Sequence, residues 1–129
     1  MDSTKTNGER PFVIHETPPE FEGGLKAMFS FLIKNMQYPA LSRKHGAEGT
    51  AYIGFTVKLD GTLQDIREIK FIKASPSNPK KRDKIPEEAY QDLVKEAIRV
   101  VKLMPNWKAA QLGERTKSTA FTLPINFKL

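Results

Sequence analysis

Apolar positions along the chain follow two periods, and the switches between them mark out its elements. Leu25, Met28, Phe29, Leu32 and Met36 fall on one face of a 3.6-residue period, which predicts a helix whose stripe faces the core. Gly23-Gly24 gives the chain freedom to turn into it. Tyr38-Pro39 stops that helix, because a residue before proline is pushed toward extended geometry. Pro39 then opens a short second helix, Ala40 to His45, capped by Gly46. From Thr50 the period becomes two. Ala51, Ile53, Phe55, Val57 and Leu59 share one face of a strand, and Thr50, Tyr52, Gly54, Thr56 and Lys58 the other. Asp60-Gly61 predicts a two-residue type I′ turn. The return strand runs from Leu63 to about Lys73, and its alternation slips between Ile66 and Ile69, the mark of a bulge.

Residues 75–84 (SPSNPKKRDK) read as a loop. Pro86, followed by Glu87 and Glu88 in the first turn, opens a helix with Tyr90, Leu93, Val94, Ala97, Ile98 and Val101 on its apolar face; Met104-Pro105 ends it. In the final strand Phe121, Leu123, Ile125, Phe127 and Leu129 alternate with Thr122, Pro124, Asn126 and Lys128. Proline lacks the N–H of a ladder donor, so this strand belongs at a sheet edge. Upstream, residues 1–11 are polar and aperiodic, and Phe12-Val13-Ile14 form a short strand closed off by Thr17-Pro18-Pro19. The expected fold class is α+β in the order β-α-β-β-α-β, an antiparallel sheet with two main helices on one face. The last strand's apolar side should bury against the helix of Leu25, Phe29 and Leu32. Residues 1–17 are then a polar tail or linker end, and 18–129 the domain.

The 129 residues suit one domain with its own core. No cysteine is present, which removes disulfides, thiolate zinc sites, iron–sulfur clusters and a cysteine nucleophile. No apolar run approaches the length of a membrane span, and the polar stretch after Met1 does not resemble a signal peptide, so the sequence reads as a soluble domain. The net charge of +6 is unevenly spread. Lys5 and Arg10 face Asp2, Glu9, Glu16, Glu20 and Glu22 in residues 1–22, a balance of −3, which leaves +9 on the remainder. Lys73, Lys80, Lys81, Arg82 and Lys84 concentrate part of it. Such a body could attract anionic partners, but a solvated surface with a mobile basic loop is the favoured reading, since a charge count alone selects no partner.

No catalytic constellation can be assembled. His15 and His45 belong to no metal-ligand spacing, and His45 reads as a residue favoured by a helix C-terminus. No serine lies in a nucleophile elbow, and no glycine-rich run leads into a phosphate loop. Glu87 and Glu88 are adjacent on a helix and point apart. Tyr52 alone on an outward strand face is a poor stacking platform for RNA. The expectation is a binding module, not an enzyme, with no catalytic residue, no metal and no cofactor.

Four pieces in fixed order carry a family resemblance: PPEFEGG (18–24), KNMQYPALSRKHGAEGTAYIGFTVKLDGTL (34–63), EEAYQDLVKEAIRVVKLMPNWK (87–108) and FTLPINFKL (121–129). Together they resemble the TonB C-terminal domain, the receptor-contacting end of bacterial envelope energy transducers. Gln37-Tyr38-Pro39-Ala40 followed by Glu48-Gly49 is the most specific element. The chain departs from the family at Glu22, where proline is frequent, and at Ala109, where a Trp-Lys-Pro run is usual; its 74–86 loop is long and basic.

The resemblance implies a mechanical role. In the family an inner-membrane motor drives the transducer, whose C-terminal domain grips a peptide of an outer-membrane transporter by strand addition. It implies partner contacts at Gln37, Tyr38, Pro39, Thr119, Thr122, Pro124, Asn126 and Lys128, with a half-buried core tyrosine as the equal reading of Tyr38. The implied partners are a TonB-dependent outer-membrane transporter and motor proteins through an N-terminal region absent here, with no nucleic acid; the unpaired last strand separately predicts a second copy in a weak homodimer. The implied location is the periplasm, the full-length protein being anchored in the inner membrane by an N-terminal helix. The sequence leaves two alternatives: an envelope interaction module of a membrane-anchored sensor or peptidase-like protein, and a nucleic-acid binder drawn by the +9 body.

Overall fold

A computed structural model of the chain describes residues 16–75 and 84–129. The strand expected at Phe12–Ile14, His15, most of the 1–17 tail and the centre of the basic loop lie outside the described residues. The two-residue period after Glu48 becomes a strand, β2 (Gly49–Val57), with Ala51, Ile53, Phe55 and Val57 fully buried. Leu59 lies beyond its end and is exposed, contrary to the sequence expectation.

The turn also differs. Gly61 donates to the Lys58 carbonyl at 2.9 Å, and Lys58 donates to Thr62 at 2.8 Å, so three residues span the hairpin. Gly61 alone has positive φ, +87°, whereas a type I′ turn needs it at Asp60 as well. Asp60 instead turns its carboxylate onto the Thr62 N–H (3.0 Å) and hydroxyl (2.7 Å), which lowers its pKa below the usual carboxylate value. Gly61 is further pinned because its carbonyl accepts the Trp107 N–H at 2.8 Å.

The return strand β3 (Leu63–Lys73) carries two irregularities rather than one. Tyr52 pairs with Lys70 but Ile53 with Glu68, so Ile69 is the extra residue and its side chain lies over Gly54. A second slip, between the Gly54 and Thr56 pairs, falls at Asp65–Ile66, where Asp65 adopts φ 55°. The other neighbour of β2 is β6 (Thr119–Phe127), in unbroken register from Gly49↔Phe127 to Val57↔Thr119. The sheet order is β3-β2-β6, so the last strand is an edge strand as Pro124 predicted. Leu123, Ile125 and Phe127 are buried; Phe121 is only half-buried and Leu129 is exposed.

Among the described residues three α-helices accompany these strands. α1 (Gly24–Asn35) and α2 (Ala40–His45) precede the sheet, and Gly46 caps α2 in the left-handed region at φ 71°. α3 (Glu87–Lys102), with Pro86 as its N-cap, lies across β2 and β3 and packs α2 on its other side. Its stripe of Ala89, Tyr90, Leu93, Ala97, Val100 and Val101 is buried. α1 joins the same core through Met28 and Leu32. Met36, just past its end, packs partly buried against that core, but Leu25 and Phe29 do not join it: Leu25 is 69% exposed and Phe29 55% exposed. The last strand therefore does not bury against them. No helix among the described residues is long and apolar enough to cross a membrane.

A second small sheet was not anticipated. β1 (Glu16–Thr17), β4 (Ala110–Leu112) and β5 (Arg115–Lys117) pair in the order β1-β4-β5, and Glu20 bridges to Lys108. This brings Phe21 and Trp107 together, with ring centroids 5.9 Å apart; Phe55 and Phe121 each lie 5.2 Å from Trp107.

Candidate functional site

Antiparallel strands point the backbone groups of successive residues to alternate sides. Ala74 donates to the Glu48 carbonyl at 3.0 Å, and Lys58 pairs with Thr62, so the even-numbered residues of β2 face β3. The odd-numbered ones face β6. Pro124, opposite Tyr52, thus turns its nitrogen away from β2, as do Thr122 opposite Gly54 and Asn126 opposite Thr50. Among the described residues no strand pairs with that far side of β6. The free edge offers the N–H and C=O of Ala120, Thr122 and Asn126, and the carbonyl of Pro124.

The sheet has two edges, and they are unlike. Two bulges break the spacing of β3, a device that blunts an edge. β6 stays regular over nine pairs, interrupted on its outer side only by the missing Pro124 donor. Its far end is tied down, for Leu129 donates to the Glu48 carboxylate at 2.6 Å.

Gln37, Tyr38 and Pro39 connect α1 to α2 at the Phe127 end of this strand. The Tyr38 ring meets Phe127 edge-on at 5.9 Å, and its hydroxyl donates to the Ala47 carbonyl. Burial, then the Glu48 carboxylate, push the Tyr38 hydroxyl up from 10.0 to about 12, against a smaller opposing pull from Arg43. The Arg43 guanidinium lies 5.5 Å from the ring centroid. Tyr38 is thus a half-buried tyrosine packed against the candidate site. The Gln37 side chain is exposed, and its backbone N–H donates to Glu96 at 2.7 Å.

The structure brings Gln37, Tyr38 and Pro39 together with Asn126 and Lys128 at this end. Thr122 and Pro124 occupy the middle of the edge. Thr119 stands apart: it pairs with Val57 at the opposite end, roughly 26 Å along the strand, and turns its backbone toward β2.

A cleft of about 590 Å³ opens between α1, the Thr17–Phe21 segment and β6. Leu25, Met28 and Phe29 line one wall, Phe121, Leu123 and Pro124 another. Sequence periodicity put Leu25 and Phe29 in the core because they share the helix face of Met28 and Leu32; the cleft gives them an apolar setting without burying them. The β4–β5 hairpin beside it turns at Gly113-Glu114, and that Gly-x pair between short polar segments was its only sequence signal.

Among the described residues no three or more His, Cys, Asp or Glu side chains gather as metal ligands. His45 sits in the last turn of α2, as its sequence position suggested. Lys73 is engaged, with its ammonium 2.8 Å from the Glu87 carboxylate and 4.5 Å from the Tyr90 ring centroid.

Two solved structures superpose on this arrangement, both NMR solution structures of the Helicobacter pylori TonB C-terminal domain. One aligns with a TM-score of 0.51 at 20% identity over 81% of this chain and 78% of that one. The fold is that of a TonB C-terminal domain. The second, a shorter fragment, aligns with a TM-score of 0.51 at 19% identity over 80% of this chain and 90% of its own. At such identity the likeness to TonB is one of fold. No protein-family model and no curated protein matches the chain.

Proposed function

We propose that the chain is the receptor-contacting domain of a TonB-type energy transducer, and that it takes the coupling segment of an outer-membrane transporter as a strand added to β6. The observation that carries this reading is the regular, unpaired outer side of β6, beside which the α1 cleft lies open. The TonB-like fold supports the same reading. A strand laid along this edge receives backbone hydrogen bonds from Ala120, Thr122 and Asn126, and its core-side residues fall over the apolar walls of Leu25, Phe29 and Phe121. Each backbone bond contributes only about 0.5–1.5 kcal/mol net, so the attachment is weak and reversible. Strands pulled along their length share a load among such bonds.

The proposed role is mechanical and involves no enzymatic step, metal or cofactor. It places the domain in the periplasm, with a membrane anchor and motor contacts supplied by other parts of a longer protein. The test is calorimetric titration with a synthetic coupling-segment peptide and a proline scan of that peptide. Binding that survives side-chain changes but is lost on inserting proline supports strand addition. Binding indifferent to proline and abolished by moderate salt overturns it.

A further inference from the structure

One ion pair on α3 grips both ends of the connector that leads from α1 into Tyr38. Glu96 is buried, an unusual place for a carboxylate on a surface helix. Its Oε2 accepts the Gln37 N–H at 2.7 Å. Arg99 holds both carboxylate oxygens, Nε to Oε1 at 2.8 Å and Nη2 to Oε2 at 2.7 Å. The same Nη2 donates to the Asn35 carbonyl at 2.9 Å, at the last residue of α1. One guanidinium and one carboxylate thus fix a carbonyl on one side of Met36 and an N–H on the other. These contacts join residues 59 and 64 positions apart.

Core packing alone does not call for this arrangement. Arg99 stays half-exposed, but burying the Glu96 carboxylate carries a desolvation cost that an apolar side chain avoids, and the best-attested return on a buried charge is fixed geometry. Here the geometry fixed is that of Gln37 and Tyr38, which stand at the Phe127 end of the free edge. Resting on the edge-binding reading above, we infer that Glu96 and Arg99 are positioning residues for the partner-binding surface: they hold the connector so that the exposed Gln37 side chain and the Tyr38 ring meet a strand docked on β6.

The test compares the full chain with Glu96→Gln, Arg99→Lys, Gln37→Ala and the Glu96→Gln/Gln37→Ala double variant, using the same synthetic coupling-segment peptide. Glu96→Gln keeps an acceptor and the side-chain size but loses the charge; Arg99→Lys keeps the charge but cannot reach two acceptors with one planar fork. Both should remain folded and bind the peptide roughly three- to tenfold more weakly. Gln37→Ala should cost less affinity in the Glu96→Gln background than alone, a non-additivity that general destabilisation would not produce. In the free protein the Gln37 amide should exchange faster in both clamp variants, while Leu123 and Ile125 stay protected. Unchanged affinity in Glu96→Gln and Arg99→Lys, or fully additive losses, overturns the inference. If the wild-type chain does not bind the peptide at all, the edge-binding reading fails instead; unaltered Gln37 exchange in Glu96→Gln would then overturn the clamp on its own.

Discussion

A methyl group added at residue 61 would collide with the Trp107 carbonyl oxygen, and the backbone there holds φ +87°. Gly61→Ala therefore meets a steric and a conformational penalty together, and should cost upwards of about 1 kcal/mol in chemical denaturation. Tyr38 offers a second residue-scale test. Its hydroxyl titrates at about 12 in the fold against 10.0 unperturbed, so the folded state favours the neutral phenol. That contribution to stability is complete below about pH 10 and is lost as pH rises through about 12. Thermal melts across this window should show the decline, and Tyr38→Phe should remove that component. At neutral pH the same variant leaves the buried Ala47 carbonyl without its donor, at a cost of about 1 kcal/mol.

At the scale of elements, alternation and periodicity carried most of the architecture. The strands Gly49–Val57 and Thr119–Phe127, the helices, and the edge position of the last strand were legible because each has a buried face or a proline that only an edge tolerates; Leu63–Lys73, with no fully buried residue, was legible as the return from the Asp60-Gly61 turn. The small sheet was not legible. Its strands are two or three residues long and largely exposed, too short for a period to register. Periodicity also could not reveal that Leu25 and Phe29 overlook a cleft, because it reports which face a residue shares and not whether that face is fully covered. These two kinds of apolar residue should respond differently. Phe55→Ala, fully buried against Trp107 and Phe121, should cost about 3–5 kcal/mol in denaturant. Leu25→Ser and Phe29→Ser should change stability by about 0.5 kcal/mol or less, yet weaken binding of an apolar coupling-segment peptide.

For the whole molecule, the sequence located Gln37, Tyr38 and the last strand separately; only the fold shows that Tyr38 packs on Phe127 and so joins them. It also shows which end of the strand Tyr38 joins, and so that Thr119, at the other end, stands apart from it. An unpaired regular edge is open to a second copy of the chain as well as to a peptide. Sedimentation at rising concentration should therefore reveal a weak dimer, which saturating peptide displaces. The most direct measurement is residue-resolved amide exchange along β6, with and without the coupling-segment peptide. In the free domain Ala120, Thr122 and Asn126 should exchange fast while Phe121, Leu123 and Ile125, turned toward β2, exchange slowly; peptide should slow the outward set and perturb Gln37 and Tyr38. Outward amides that are already protected, or that stay fast while peptide-induced shifts gather at Lys73 and Lys84 and fade with salt, would contradict strand addition at this edge.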